Sequence, residues 1–185
     1  MRYLVLLLLV INSSTFSQIN SNTSPEEISS IAMVALEDHR YEDFASLMHP
    51  DALTQMRDFA NLILSISGED KSLLTLFGVK DSTDFHTISD TSIMAKFMEA
   101  VMSKLEDKVK IKDMSLKILG SVMEGADTIH IVTRSNTVMN EISISTMEIT
   151  SLKQSKYGWR LLIDEQIQGY MTVIRTMIDS RNKLR

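Results

Sequence analysis

The stretch KVKIKDMSLKILGSVM, residues Lys108–Met123, is where the apolar pattern of the sequence changes its period. Before it, apolar side chains recur three and four residues apart, as they do along one face of a helix. From Lys108 onward, apolar and polar side chains alternate, which is the pattern of a strand with one buried face. The sequence therefore predicts an α+β fold in which helices come first and an antiparallel sheet follows.

Four segments of the second half carry the alternating pattern, with turn residues between them. The predicted strands are Lys108–Met123, Thr128–Thr137, Ile142–Lys153 and Tyr157–Asp164. Because the connections are short, a meander of antiparallel hairpins is the simplest topology for them. The amphipathic segment within residues 165–185 predicts a C-terminal helix that packs on the domain.

The alternation slips by one residue within two of these strands. In the first strand, Val109 and Ile111 are apolar at odd positions, whereas Met114 and Leu116 are apolar at even ones. The third strand slips in the same way over residues 144–147. Such a slip indicates a β-bulge, which bends the strand, or else a strand that is apolar on both faces.

Helical patterns fill the chain before the sheet. Residues 24–27, Ser-Pro-Glu-Glu, combine an N-cap, a proline at the first helical position and a capping box. Further helical patterns cover residues 41–48, which end before Pro50, then residues 51–64 and residues 91–105.

The region between the third and the last of these helices, residues 65–90, has no clear periodicity. Asp70 is a candidate N-cap for a short helix through Phe77 that ends near Gly78. Residues 81–90 are rich in Ser, Thr and Asp, which predicts a loop.

The first seventeen residues have the parts of a secretory signal peptide. Arg2 supplies the positive charge, an apolar run of nine residues follows at 3–11, and small polar residues precede the predicted cleavage. A run of nine is too short to span a bilayer, which takes ~20 apolar residues. We therefore expect an exported protein, secreted or periplasmic, with residues 1–17 removed, a flexible lead at 18–23 and the domain at 24–164.

Composition excludes several kinds of site and partner. The chain has 185 residues, and 24 Asp and Glu against 19 Lys and Arg give a formal net charge of −5. This balance gives no basic footprint, so we expect no nucleic-acid partner. The absence of cysteine excludes disulfides, thiolate metal sites and a cysteine nucleophile. Because nucleotide-binding and nucleophile motifs are also missing from the sequence, we expect no metal and no cofactor. After residue 17, no stretch is apolar enough to cross a bilayer, so we expect no membrane span in the mature chain.

Among the four histidines, His130 is the candidate for catalysis. If the second hairpin turns near Met139, His130 lies opposite Glu148, and such a pair is capable of general base catalysis. The alternative is an ordinary cross-strand pair. We interpret His39 and His49 as structural residues at helix junctions.

The same register predicts an interaction patch around this pair. The residues expected to form it are Val132, Arg134, Ile142, Ile144 and Thr146. An apolar centre with a polar rim is typical of an interface, and a two-fold dimer needs only one self-complementary patch. We therefore expect a homodimer, unless the C-terminal helix folds back over this face of the sheet.

Methionine is abundant, with thirteen residues. Met94, Met98 and Met102 stand four apart on a predicted helix. Such a row is a candidate Cu(I) site or a deformable pocket wall, and we favour the wall because no histidine is adjacent.

Two stretches carry a resemblance to a known family. ALEDHRYEDFASLMHPDAL, residues Ala35–Leu53, resembles the opening helices of the NTF2-like (SnoaL-like, cystatin-type α+β) superfamily. LKQSKYGWRLLID, residues Leu152–Asp164, is similar to its closing hairpin, in which a Gly-Trp pair enters the last strand. The resemblance covers roughly residues 24–164. It implies helices packed against a curved four-stranded antiparallel sheet, with a pocket between them.

The resemblance implies two classes of function. One is an exported, non-catalytic domain that binds a small apolar ligand or a protein partner through its pocket or its sheet face. The other is a small pocket enzyme of the isomerase, dehydratase or cyclase type that uses a buried His or Asp. Because the sequence shows no convergent set of acid and base residues, we favour the binding domain.

Overall fold

The structure is a computed structural model that describes residues 19–67, 71–106 and 111–182. The predicted signal peptide, the predicted cap Asp70 and the first residues of the predicted first strand lie outside these ranges. The helices are α1 (Pro25–Glu37), α2 (Tyr41–Ser46), α3 (Pro50–Ser67), α4 (Lys71–Leu76), α5 (Ser82–Thr87), α6 (Asp90–Glu106) and α7 (Glu165–Asn182). The strands are β1 (Ile111–Glu124), β2 (Thr128–Met139), β3 (Ile142–Ser155) and β4 (Gly158–Leu161).

The strands form one open antiparallel sheet in the order β1-β2-β3-β4, and helices pack against it. This arrangement confirms the predicted α+β class and the predicted meander. Of the helices in the described ranges, none is long and apolar enough to cross a membrane.

Helix α1 is fixed at both ends by hydrogen bonds. At its start, the Glu27 amide donates to the Ser24 hydroxyl at 3.2 Å and the Ser24 amide donates to the Glu27 carboxylate at 2.9 Å, so the predicted capping box is confirmed. At its end, the Arg40 amide donates to the Ala35 carbonyl at 2.8 Å, and His39 takes a φ of 56°. This is the geometry of a Schellman cap, in which glycine is the usual residue. The two caps fix the helix that forms one wall of the cavity described below.

The helices cover one face of the sheet, here called the inner face. In β2 and β3 its residues are Ile129, Ile131, Thr133, Ser135, Thr146, Glu148, Thr150 and Leu152. Ile131 and Leu152 are fully buried against the helices. Trp159 packs against the same core, and Leu161 and Ile163 are buried in it. In the described ranges, α7 contacts α3, and the residues Met147 and Ile149 on the opposite, outer face remain exposed.

The predicted bulge in the first strand is confirmed. The pairing of β1 with β2 shifts by one residue between Lys112 and Ser115, and a second shift follows between Ile118 and Gly120. The predicted slip in the third strand is not a bulge, because β3 pairs with β2 without interruption. It reflects the second predicted alternative, a strand that is apolar on both faces.

The register of the second hairpin differs from the prediction by three residues. The turn is formed by Asn140 and Glu141, both with positive φ (48° and 69°), so that Met139 pairs with Ile142. Two central residues with positive φ make a type I′ turn, whose twist matches that of the strands. His130 consequently lies opposite Ser151, and its predicted position opposite Glu148 is wrong.

The predicted loop over residues 81–90 is also wrong in part, because α5 forms within it. Asp81 caps this helix by accepting hydrogen bonds from the amides of Thr83 at 2.8 Å and Asp84 at 2.9 Å. The short helix predicted before it is confirmed as α4, and Gly78 follows with a φ of 67°.

Residues 19–23, for which the sequence predicts a flexible lead, form a hydrogen-bonded turn. The Thr23 amide donates to the Asn20 carbonyl at 3.1 Å, and the Asn20 amide donates to the Thr23 hydroxyl at 3.1 Å. The turn lies against β4, where a Cβ on Gly158 would come within 3.0 Å of Ser21. A side chain at this position would push the turn away from the strand, and the φ of 92° at Gly158 also favours glycine.

The junction between α2 and α3 is held to the edge of the sheet. The His49 amide donates to the Leu161 carbonyl at 2.7 Å, and the His49 ring nitrogen Nδ1 accepts from the Asp51 amide at 3.1 Å. His49 is therefore a structural N-cap of α3, as interpreted from the sequence. Next to it, the Lys153 ammonium donates to the Asp51 carboxylate at 2.9 Å and joins α3 to β3.

This ion pair predicts a specific dependence of stability on pH. The hydrogen bond from Lys153 holds the pKa of Asp51 below its ordinary value of 3.8. A carboxyl whose folded-state pKa is lowered stabilises the protein above its unfolded-state pKa, and this contribution is lost as the pH falls through the folded-state value. We expect Lys153→Met to lower the free energy of unfolding at pH 7, and the difference from the parent to shrink below about pH 4.

Urea unfolding of both proteins between pH 2 and pH 7 measures this difference. The matched control is Lys156→Met, which removes the same charge from the next turn. The Lys156 ammonium lies over the Tyr157 ring, 4.8 Å from its centre, and the charge of this ring does not change between pH 2 and pH 7. We therefore expect the effect of Lys156→Met to be independent of pH. A difference for Lys153→Met that stays constant over the whole pH range would contradict the assignment.

Candidate functional site

A cavity of about 250 Å³ lies between the helices and the inner face of the sheet. Its walls come from α1, α2, α3, α6, the adjoining parts of β3 and β4, and the start of α7. This is the position at which the NTF2-like resemblance places a pocket. The volume is close to the lower end of the range for small-molecule sites, ~300 Å³.

Helix α1 presents one continuous stripe to this cavity. Ser29, Ala32, Met33 and Leu36 line it, and their spacing of three and four residues places them on one side of the helix. Their side chains therefore point in the same direction, towards β3 and β4.

Five methionines from four separate segments form much of the cavity wall: Met33, Met48, Met56, Met94 and Met98. Met94 and Met98 are two of the three residues that the sequence predicts as a deformable wall. Methionine is unbranched and has a polarisable sulfur, so it adapts to apolar ligands of different shapes. The cavity wall can therefore adjust to its contents without moving the backbone.

The cavity also meets two carboxylates, Glu148 and Asp164. Glu148 Oε1 accepts hydrogen bonds from the Ser135 hydroxyl at 2.6 Å and from the Thr146 hydroxyl at 2.9 Å. Both acidic residues are exposed. They give the cavity an anionic rim, whereas the pocket enzyme implied by the resemblance would use a buried His or Asp.

His130 lies on the outer face, away from the cavity. Its Nδ1 is 2.9 Å from the Ser151 hydroxyl, and its Nε2 is 2.7 Å from the Glu124 carboxylate. Glu148 is on the inner face, so the structure does not bring His130 and Glu148 together. The His–Glu pair that exists is the one with Glu124, and it is an ordinary contact between neighbouring strands.

The residues predicted to form one interaction patch are divided between the two faces. Val132 and Arg134 are on the outer face, whereas Ile142, Ile144 and Thr146 are on the inner one. The prediction of a single patch is wrong because its register was in error by three residues. Side chains alternate between the two faces of a strand, so an error of an odd number assigns the residues of β3 to the wrong face relative to β2.

An apolar patch does occupy the outer face, with different members. Val122, Met147 and Ile149 are 61%, 64% and 58% exposed, and they surround the half-buried Val132. The predicted register paired Ile149 with Ile129 and Met147 with Ile131, on the face opposite to the predicted patch, so neither residue was included in that patch. This set of four residues is called the outer patch below.

A second, open groove runs between α2 and α6. Its charged groups are largely engaged with one another: the Lys96 ammonium donates to Glu99 at 2.8 Å, and His39 Nδ1 lies 2.9 Å from the Tyr41 hydroxyl and 3.5 Å from the Glu106 carboxylate. Burial raises the pKa of Tyr41, and the charges of Glu106 and Glu99 add to this effect. Because these groups satisfy each other, the methionine-lined cavity is the stronger candidate site.

Metal binding has no support in the part of the chain that the structure describes, where no three His, Asp or Glu residues are placed to hold an ion.

Comparisons of the chain with family models, with curated proteins and with solved structures find no match.

Proposed function

We propose that this protein is a non-catalytic binding domain that takes a small apolar molecule into the methionine-lined cavity. The observation that carries the proposal is the wall itself, in which five methionines from four separate segments converge on one cavity. Its volume equals that of about eight water molecules at ~30 Å³ each. A ligand with a skeleton of roughly six to ten carbon atoms fits this space.

The same reasoning disfavours the pocket enzyme. A general acid or base must reach the substrate, and its pKa is usually shifted by burial or by a neighbouring charge. Among the described residues that line the cavity, the acidic ones are exposed and none is a histidine. The candidate base of the sequence, His130, is on the far side of the sheet.

We further propose that the domain is an exported NTF2-like protein. The proposal is supported by the charged and apolar pattern of residues 1–17, by the two stretches that resemble that superfamily, and by the α+β arrangement of helices on one face of a four-stranded sheet.

Native mass spectrometry of the protein recovered from its own host tests the proposal. We expect a population heavier than the polypeptide by the mass of a small apolar molecule, and a polypeptide that begins after residue 17. Recovery of ligand-free protein that still begins at Met1 would contradict both binding and export.

Methyl NMR of methionine residues then locates the ligand. We expect the methyl signals of Met33, Met94 and Met98 to move when the ligand is added, whereas the signal of Met147 on the outer face stays in place. Ala32→Phe fills the cavity and should abolish the movement. The matched control is Val34→Phe, at a position that is 45% exposed on the same helix. Equal loss of binding in both variants would argue against the cavity as the site.

The outer patch supports a second proposal, that a copy of this chain is the partner. Lys117 and Glu124 both lie on β1, on either side of the outer patch. A two-fold axis in the plane of the interface and perpendicular to the strands places Lys117 of each copy opposite Glu124 of the other. The same two-fold axis packs the outer patch of one copy against that of the other. Burial of the apolar residues and attraction between the opposite charges would then both stabilise the dimer.

A further inference from the structure

Strand β3 is much longer than its neighbour β4, so one side of β3 is largely without a pairing strand. Strand β2 pairs with residues 128–139 against residues 142–153 of β3, whereas β4 pairs only with residues 152–155. Residues 142–149 are here called the open edge. All eight are exposed, and in the described ranges no strand pairs with them on the β4 side.

Two hydrogen bonds show which residues of the open edge face outward. Successive residues of an antiparallel strand direct their amide and carbonyl groups to opposite sides. The Ser151 carbonyl accepts from the Leu162 amide at 2.8 Å, on the β4 side. The Gln154 amide donates to the Asp127 carbonyl at 2.7 Å, on the β2 side. Because β3 pairs with β2 without interruption, the residues that present their amides and carbonyls to the open side are Ser143, Ser145, Met147 and Ile149.

The two edges of the sheet differ in how well they are protected. Bulges, lysines and prolines usually discourage a further strand from adding to an edge. Strand β1, at the opposite edge, has two register shifts and carries Lys112 and Lys117. The open edge has the sequence ISISTMEI, with no proline, no lysine and no bulge. It is therefore suited to accept an added strand through main-chain hydrogen bonds.

The charges of the open edge indicate what kind of strand fits. Glu141 stands just before it and Glu148 near its end, and both are exposed. Neither belongs to an ion pair within the described ranges. Antiparallel pairing of two open edges about Ser145 would place Glu141 of each copy beside Glu148 of the other, so like charges disfavour a second copy here. A strand with Lys or Arg opposite Glu148 gains an opposite-charge pair instead.

We propose that the open edge binds an extended segment of another polypeptide as a fifth strand, antiparallel to β3, with Lys or Arg opposite Glu148. The segment exchanges main-chain hydrogen bonds with the outward-facing residues of the edge. Its apolar side chains pack beside Ile142 and Ile144, which are 65% and 38% exposed. The inference does not rest on binding of a small molecule, because the contacts come from the edge of β3 and not from the methionines of the cavity.

A capped octapeptide, Val-Arg-Val-Thr-Thr-Ile-Thr-Val, is the probe. Aligned antiparallel to the open edge, it places Arg opposite Glu148 and Ile opposite Ile144. We expect saturable binding in an NMR titration and slower hydrogen exchange of the Ser143 and Ser145 amides in the complex. The Thr146 amide faces β2 and should exchange equally with and without peptide. Absence of binding, or binding that leaves the outward-facing amides unprotected, would overturn the proposal.

A second peptide, with Glu in place of Arg, tests the charge of the partner. We expect it to bind the parent protein about three- to tenfold more weakly, because two carboxylates then face each other. Glu148→Gln removes the charge and keeps a side-chain oxygen to accept from Ser135 and Thr146, so this variant should bind both peptides equally. The matched control is Glu124→Gln on β1, at the other edge, which should keep the preference. A preference for Arg that persists in Glu148→Gln would overturn the assigned chemistry.

The main-chain hydrogen bonds are tested from both partners. Because the Ser145 amide faces outward, Ser145→Pro removes a donor to the added strand and no bond to β2. We expect it to weaken binding by at least about threefold and to change the melting temperature little. N-methylation of the third and fifth peptide residues, which face Met147 and Ser145, removes the reciprocal donors and leaves the protein unaltered. Methylation of the fourth and sixth residues is the control, and equal binding of the two methylated peptides would overturn the added strand, whether or not Ser145→Pro folds.

Discussion

Replacing Phe77 with alanine is expected to lower the free energy of unfolding by about 3–5 kcal/mol. Phe77 is fully buried, and its ring centre lies 6.0 Å from that of Phe85 and 6.2 Å from that of Phe97. The three rings join the end of α4 to α5 and α6, so the cavity left by Phe77 opens between three helices. For a domain of this length, each kcal/mol corresponds to ~2–4 °C in melting temperature, which predicts a fall of roughly 6–20 °C.

Thermal unfolding followed by circular dichroism measures this fall, with Tyr157→Ala as the control. Tyr157 is 56% exposed, so truncation of its ring should cost less than about 1 kcal/mol. Phe77→Leu should fall between the two, because it keeps most of the buried apolar volume. If Phe77→Ala melted within about two degrees of the parent, the packing of α4, α5 and α6 around this residue would be wrong.

This aromatic cluster lies in the region that the sequence could not resolve. Helices α4 and α5 have six residues each, which is less than two turns, so no apolar stripe can repeat along them. The position of α5 is fixed from a distance by Arg57, whose guanidinium donates to the Asp90 carboxylate and to the carbonyls of Ile88 and Phe85. A contact across about thirty residues leaves no local signal in the sequence.

The strands could be predicted well, whereas the pairing between β2 and β3 could not. Period-two alternation is a local property of each strand, and it located all four of them. The register depends on the turn, where Asn140 and Glu141 take φ values that usually require Asn or Gly. Because Glu141 is not a residue type that is common in such turns, the turn was predicted near Met139, before its actual position at Asn140 and Glu141. The candidate site residues His130 and Glu148 were then placed on one face, although they lie on opposite faces.

Part of the cavity wall could be predicted from the sequence. Met94 and Met98 were recognised from their spacing, but the stripe of α1 that contains Ser29 and Met33 was not. The useful signal was the interval of three, four and seven residues from Ser29 to Ala32, Met33 and Leu36, which is visible in the sequence.

Ile149→Lys is expected to convert a dimer of this protein into a monomer. Ile149 pairs with Val132 in the outer patch and is 58% exposed, so in the proposed dimer its side chain is buried against the partner. Each dimer would then have to bury two lysine ammonium groups in an apolar interface. Burial of one unpaired charge costs several kcal/mol, so we expect the dissociation constant to rise by at least about a hundredfold.

Sedimentation equilibrium of the parent and of the variant measures this change. The matched control is Ile144→Lys, which adds the same charge to the same strand but on the inner face, and it should leave the dimer intact. A parent protein that is monomeric at all concentrations would contradict the interface outright. Dissociation by Ile144→Lys and not by Ile149→Lys would move the interface to the other face of the sheet.

The charged ends of the outer patch allow a test that does not depend on apolar packing. In the proposed arrangement, Lys117 of each copy lies opposite Glu124 of the other, so reversal of either charge places like charges together at two positions. Lys117→Glu and Glu124→Lys should each weaken the dimer, and the double variant should restore it, because the pairs are rebuilt with opposite polarity. Only an antiparallel arrangement of the two β1 strands predicts this restoration. In a dimer that used the same apolar patch in a parallel orientation, Lys117 and Glu124 would not face each other, so the double variant would not restore what the single variants change.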